Sequence, residues 1–501
     1  MDKDGRILCV LLCFLATFTS ATQGYDASMM VMRLSGSDGI TVLIVEQNGL
    51  QILSSYTEYF QLTTATTSLN VAVVFLGSVL ATLFAGWWSD RWGRRWGIAL
   101  TSLLAMVGVA IQTAAVHEAM FCIGRLIIGM SITTGATAAP AYISETAHPR
   151  HRVMFTGLCG AAWYVGSVMA AAITYGTQYI DTTWSWRCPS LLQILPSLLC
   201  VLPLPFLPES PRWLIYKDRY EEARHILVKY HGAGDPSAPI VNIEFEEIQE
   251  TLRQEKMVQK TDFKALVSTP SNRRRFLIVI LVAVFCQISG NNIITYYFGS
   301  VLTSAGVTDQ QTQLAINIGL SIYNLACATV GSFYLDRFGR RPSFLISTTG
   351  MSLLLIAVAI MTKEFSTHPT PGGSAGQIVL IFLFYGCYSL VWTPLSYLYP
   401  IEVLSYSLRA NGLASYNGVC YLAAFFNTYI IPYAMNWSSW GFYLITAIWC
   451  LVEVVAMWFV FPETVNMTLE EISGVFDNEQ PVHKKVQEAQ EAQEAQDETI
   501  A

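Results

Sequence analysis

The chain has 501 residues, of which 53% are apolar and only 13% charged, and its mean hydropathy is +0.41. Soluble domains carry charge on roughly a quarter of their residues, so this composition excludes a disordered or collagen-like chain and disfavours a soluble enzyme. A formal charge of −7 is not the footprint of a nucleic-acid binder, which needs a basic patch or stripe, so a lipid bilayer and not nucleic acid is the expected partner.

A membrane-spanning helix needs roughly 20 mostly apolar residues. Twelve stretches qualify, centred near residues 18, 75, 106, 130, 165, 197, 289, 323, 352, 388, 422 and 450, which predicts an all-α membrane protein. The first, LCVLLCFLATFTSATQ, has the look of a signal peptide. The apolar run continues through Ala27–Met32, however, so a retained helix is expected, and it carries Asp26. After the second span comes SDRWGRR (89–95), with Asp90, Arg94 and Arg95. The fourth span contains Arg125 and is followed by YISETAHPRHR (142–152), with Glu145 and Arg152. After the sixth, PESPRWL (208–214) supplies Glu209 and Arg212 and opens a polar segment, 208–274, that reads as short helices. Mixed charge there fits either a solvated linker or a brace on the cytoplasmic mouth.

The seventh span holds QISGNN, with Gln287, Asn291 and Asn292, followed by Tyr296 and Tyr297. The eighth contains Asn324 and leads into LDRFGRR (335–341), with Asp336, Arg340 and Arg341. The tenth contains Trp392 and Tyr397, and YPIEVLSYSLR (399–409) after it brings Glu402 and Arg409. Asn436-Trp437-Ser438 is a glycosylation sequon in a short loop expected outside. Glu453 lies in the last span and is expected to pair or to sit at the lipid interface. PETVNMTLEEI (462–472) follows, then an acidic low-complexity tail expected to be disordered.

Three motifs recur at matching places. SDRWGRR pairs with LDRFGRR, YISETAHPRHR with YPIEVLSYSLR, and PESPRWL with PETVNMTLEEI. Internal repeats of this kind build many transporter folds, with the site between them. The expected organisation is a six-helix bundle over 1–207, a cytoplasmic helical linker over 208–274, a second six-helix bundle over 275–461, and a cytoplasmic tail over 462–501. With both termini in the cytoplasm, inside segments collect 25 of the 29 Lys and Arg, as the positive-inside rule requires.

A charge at the centre of a spanning helix costs roughly 2.5–3.5 kcal/mol, so Asp26 and Arg125 invite pairing, either as a static ion pair or as a proton site. Amides both donate and accept, which suits solute hydroxyls, and this marks Gln287, Asn291 and Asn292. No CxxC or HExxH spacing points to a metal, no GxxxxGK[ST] loop points to ATP, and no cofactor is expected.

Together these motifs resemble the sugar porter family of the major facilitator superfamily, over roughly residues 24–472. GYD, QISGNN–YY and YPIEVL are similar to the fungal lactose permease-like and hexose transporter branch. The resemblance implies two pseudo-symmetric six-helix bundles around a central cavity, alternating access, and a plasma-membrane location. Gln287, Asn292 and Asn324 match the family's sugar-binding positions, and Tyr296 and Tyr297 its outer gate. Tyr397 stands where a tryptophan is usual, with Trp392 nearby. An Asp at position 26 matches proton-coupled members, with Arg125 as its partner. Asp90, Arg94, Arg95, Glu145, Arg152, Glu209, Arg212, Asp336, Arg340, Arg341, Glu402 and Arg409 are expected to bridge the bundles as a cytoplasmic gate. The chain departs from the pattern at Cys286, Gly160, Cys420 and Ala424, which removes polar groups from the pocket. The implied activity is secondary transport of a sugar or sugar-like solute with protons. Export of a small metabolite and non-transporting sugar sensing are the alternatives.

Overall fold

The computed structural model describes residues 3–29, 59–60, 63–147, 149–257, 263–304, 307, 309–365, 371–404, 408–465 and 476. The side chains of Arg152, Asp336 and Arg409 and the acidic tail lie outside the described set. Within a bilayer every backbone polar group must be satisfied internally, which long apolar helices achieve. The first set of helices is α1 (Lys3–Met29), α2 (Thr64–Thr82), α3 (Ala85–Trp92), α4 (Arg94–Thr113), α5 (Glu118–Thr146), α6 (Pro149–Thr177), α7 (Trp184–Leu192) and α8 (Ile194–Val201). Three short helices follow, α9 (Pro211–Tyr216), α10 (Tyr220–Tyr230) and α11 (Pro239–Met257). The second set is α12 (Pro270–Ile288), α13 (Asn291–Ser304), α14 (Gln310–Phe338), α15 (Arg340–Phe365), α16 (Pro371–Val403), α17 (Arg409–Trp437) and α18 (Ser439–Val460).

Among the described residues nine helical segments are long and apolar enough to cross a membrane. Two pairs, α2 with α3 and α12 with α13, bend by 49° and 44° and raise the number to 11 when each is one span. The twelfth expected centre, residue 165, falls in α6. Side chains set the helix starts. Thr63 accepts the Thr66 N–H before α2, Asp309 accepts the Thr312 N–H at 2.8 Å before α14, and Ser438 accepts the Gly441 N–H before α18. Each cap satisfies one of the backbone donors a helix start leaves open.

The same four pairings recur in both sets. α1 packs on α6 as α12 packs on α17, and α4 on α5 as α15 on α16. α2 packs on α5 as α14 on α16, and α4 on α8 as α15 on α18. The two sets meet along two seams, α2 against α17 and α6 against α14. Glycines allow the closest crossing. A methyl group on Gly166 would lie 1.9 Å from the Ala21 carbonyl oxygen, and one on Gly24 would lie 1.7 Å from that of Trp163, so α1 and α6 touch backbone to backbone.

The polar segment braces the fold. Trp213, Leu214, Ile215, Ala223 and Leu252 form a small apolar core of their own. The Trp213 indole N–H donates to the Asp90 carbonyl at 3.0 Å. His231 bridges Glu244 and the Thr146 carbonyl. The short helices therefore hold the end of the first set that carries SDRWGRR.

Candidate functional site

Three groups of polar residues stand inside or at the end of this helical body. The first is the ion pair. α1 supplies Asp26 and α5 supplies Arg125, whose Nη1 lies 2.8 Å from Asp26 Oδ1. The residues are 2% and 1% exposed, so the pair is closed off from bulk solvent. Arg125 Nε donates to the Asn70 carbonyl at 2.9 Å, and Gln193 Nε2 donates to Asp26 Oδ1 at 2.9 Å. Burial is tolerable because both charges are paired and hydrogen-bonded. Sequence reasoning missed Asn70 and Gln193, since a lone amide in an apolar span carries no pattern.

The second group surrounds the break between α12 and α13. Gly290 has φ +95, a conformation that costs glycine little, and the helix direction changes there. Asn292 Nδ2 donates to the Gln287 carbonyl at 3.0 Å and to its Oε1 at 3.1 Å, and Asn291 Nδ2 donates to Asn292 Oδ1 at 3.2 Å. Asn427 of α17 also donates to the Gln287 carbonyl. Gln287, Asn291 and Asn292 are therefore brought together, with Asn427 added. Gln287 Nε2 reaches Cys420 Sγ at 3.1 Å, and Cys286 Sγ lies 3.7 Å from Cys420 Sγ.

Asn324 stands apart from that cluster, accepting from Ser389 Oγ at 3.2 Å. It lines a cavity with Trp163, Tyr164, Ser167, Asn317 and Tyr385. The space is about 20 Å³, room for a water rather than a sugar. The seam beside it is closed by hydroxyls: Tyr164 Oη lies 2.8 Å from Ser389 Oγ, and Ser167 Oγ 3.0 Å from Ser321 Oγ. Tyr296 meets Phe75 of the other helix set edge-on, with centroids 5.7 Å apart, whereas Tyr297 turns inward to donate to the Thr428 carbonyl. Tyr397 is 54% exposed and stands beside Tyr416. Trp392 is not with the amides. It is fully buried, gives its N–H to Thr348 Oγ1 at 3.1 Å and packs on Phe344, because its side chain points from α16 toward α15.

The third group lies at the motif end. Arg94 Nη1 contacts Asp90 at 2.8 Å, and Arg94 Nε contacts Glu145 at 3.1 Å. Glu209 accepts the Arg94 and Arg95 backbone N–H groups at 3.0 and 3.3 Å, capping α4. The second set repeats this. Arg340 Nη2 lies 2.9 Å from Glu402, and Glu463 accepts the Arg340 and Arg341 N–H groups at 2.7 and 3.1 Å. Bridges between the two sets were the expectation, but among the described residues the pairs form within each set. The reason is the packing of α4 on α5 and of α15 on α16, which brings each arginine to the acid of its own half. Arg341 lies over the Trp458 ring at 5.3 Å. Arg212 is half-buried on α9. Glu463 was missed as a site residue, although the PES and PET repeats pointed to it. Asn436 is exposed near the end of α17.

A family model described as "Sugar (and other) transporter" matches residues 12–476. The chain belongs to this family. It is thus a multi-span membrane transporter of the major facilitator type and not an enzyme. The transporter is 28% identical over 419 residues to the MFS-type transporter criB of Aspergillus cristatus, covering 83% of this chain and 86% of that protein. It is 29% identical over 423 residues to a high-affinity glucose transporter of Kluyveromyces lactis, covering 81% and 76%. Its fold matches the inward-open xylose transporter XylE of E. coli with TM-score 0.74 and 20% identity, over 92% of this chain and 98% of that one. The proton:xylose symporter XylE bound to 6-bromo-6-deoxy-D-glucose gives TM-score 0.74 at 21% identity, over 94% and 100%.

Proposed function

We propose that this transporter moves a sugar or sugar-like solute by alternating access and couples it to protons, with Asp26 as the proton site. The buried Asp26–Arg125 contact at 2.8 Å carries the reading. A proton on Asp26 removes the charge that holds Arg125 and loosens α1 from α5, so protonation and helix packing are linked. Bringing one charge across 100 mV supplies ~2.3 kcal/mol, which supports roughly fiftyfold accumulation. The glucose transporter and proton:xylose symporter among the similar proteins support the same reading.

In this reading Gln287, Asn291, Asn292 and Asn324 bond the solute's hydroxyls, with Tyr397 as an aromatic neighbour. Tyr296 and Tyr297 act at the outer gate. The arginine–carboxylate clusters stiffen the cytoplasmic ends that move, both termini face the cytoplasm, and the membrane is the plasma membrane. Export of a less polar metabolite is the second reading. It is favoured by the thiols of Cys286 and Cys420 beside Gln287, where hydroxyl-bonding amides would suit a hexose better.

The test is uptake of a labelled hexose and disaccharide panel in energised cells lacking their own carriers, with and without a protonophore. Accumulation that collapses with protonophore establishes symport. Uptake that only equilibrates overturns the coupling. No uptake, with protein at the surface, moves the reading to export or sensing.

A further inference from the structure

Glu453 lies in the second half of α18 and is fully buried, so of the two roles expected of it, pairing or the lipid interface, it does not take the second. The helix buries one stripe, Tyr443, Thr446, Ala447, Cys450, Glu453 and Met457. This stripe faces the break between α12 and α13. A methyl group on Gly290 would meet Thr446 Cγ2 at 2.9 Å, and the Cys450 thiol donates to the Ser289 carbonyl at 3.5 Å. Ser289 Oγ and Trp449 Nε1 are the polar neighbours of the Glu453 carboxyl.

Among the described residues, both carboxyl oxygens and Trp449 Nε1 lack a hydrogen bond in full geometry. Among the described residues no charged group on α12, α15 or α17 faces the carboxyl, and the titratable group beside it is the Cys450 thiol of its own helix. An ionised carboxylate buried without a cation is far costlier than the neutral acid. The neutral acid also closes the hydrogen-bond accounting. Ser289 Oγ–H already donates to the Phe285 carbonyl, so its lone pairs can accept the acid O–H. The acid's carbonyl oxygen can accept the Trp449 N–H.

We propose that Glu453 keeps its proton and acts as a positioning residue, a neutral latch tying α18 to the Ser289–Gly290 break. Gln287 and Asn292 flank that break, so the latch sets the spacing of the amides. The latch rests on packing alone, while its effect on transport rests on reading the amide cluster as the solute site.

The test uses the full chain in proteoliposomes. The infrared difference between wild type and Glu453→Gln should contain the C=O stretch of a protonated acid, present at pH 7 and still present at pH 9. Glu453→Gln, whose amide N–H replaces the acid O–H, should melt within about 2 °C of wild type, whereas Glu453→Leu, which leaves the Trp449 N–H without an acceptor and cuts the tie to Ser289, should melt several degrees lower. With D-glucose as the probe, the Gln variant should keep uptake within about twofold, and the Leu variant, its amides displaced, should raise KM about tenfold with little change in maximal rate per folded transporter. A carboxylate band in place of the acid band, or a Gln variant damaged as much as Leu, overturns the latch. The spectrum and the melting are read without any solute, so absent glucose uptake counts against the proposed substrate and not against the latch.

Discussion

Asp26 and Arg125 are held 2.8 Å apart in a site shielded from bulk solvent, on helices that pack in the same bundle. Replacing Asp26 by Asn keeps a hydrogen-bonding group beside Arg125 but removes the titratable one. Asp26→Asn should therefore abolish uphill accumulation while leaving solute exchange down a gradient. Both changes remove the countercharge, but Asp26→Ala also takes away the oxygen that accepts from Arg125, and breaking a buried pair with nothing to replace it costs ~3–5 kcal/mol, so this variant should reach the membrane poorly. Counterflow and accumulation assays on the two variants separate these outcomes. Accumulation by Asp26→Asn equal to wild type would make the pair purely structural.

Glu209 and Glu463 perform the same task in the two halves. Each carboxylate accepts two backbone N–H groups at the first turn of a helix, where the dipole also favours negative charge. Glu463→Ala should lower stability by about 1–2 kcal/mol, as should Glu209→Ala. The sites lie in different halves and share no partner, so the double variant should be additive to within about 0.5 kcal/mol. Thermal melting of the purified protein measures all three.

How much of this was legible in the sequence varied by kind of feature. Apolar runs fix spans because a bilayer leaves a chain no other way to satisfy its backbone, and the expected centres fall in helices except the one near 289, which lies in the break between α12 and α13. Asp26 and Arg125 were legible because charge within a span demands a partner. The arginine clusters were legible as a set but not in their pairing. Spacing shows that Arg94 and Arg340 sit at helix starts, whereas the choice of Glu145 and Glu402 depends on which helices touch. Trp392 looked available from its place near Tyr397, but its direction is decided by Thr348 and Phe344 on α15. Gln193 and Asn70 gave no signal, since only the fold puts them beside the ion pair.

The crossing of α1 and α6 makes a sharp steric prediction. A Cβ at residue 166 would meet backbone, the Ala21 carbonyl oxygen at 1.9 Å, which cannot swing away as a side chain can. Gly166→Ala should destabilise by about 1–3 kcal/mol, the usual cost of overpacking. Gly176→Ala on the same helix has nothing within 4 Å of its new methyl and should be silent. Yield and melting temperature of the two variants provide the check; equal behaviour would mean the helices are farther apart than described.

Cys286 and Cys420 offer a chemical ruler across α12 and α17. Their sulfurs lie 3.7 Å apart, and a small shift brings them to bonding distance. Mild two-electron oxidation of the thiols should join the two helices beside Gln287 and stop transport, and dithiothreitol should restore it. Cys420→Ser should be insensitive. Mass spectrometry of the digested protein should find the cross-linked peptides, and their absence after complete oxidation would refute the proximity.

Tyr164 reaches across the seam between the bundles. Its hydroxyl lies 2.8 Å from Ser389 Oγ and 3.1 Å from Thr393 Oγ1, both on α16, and the ring is buried. In the proposed alternating-access cycle such contacts form in one state and part in another, so their strength biases the conformational equilibrium. A neutral hydrogen bond is worth about 1 kcal/mol net, and removing the hydroxyl strands its partners as well. Tyr164→Phe should shift the two-state equilibrium by about 1–2 kcal/mol, roughly 5- to 30-fold, away from the closed seam described here. Ser389→Ala should shift it the same way by less, because Thr393 remains as a partner. Labelling rates of a cysteine placed along the seam read the populations directly. Rates unchanged in Tyr164→Phe would mean that these hydrogen bonds persist in both states and that the seam does not open at this height.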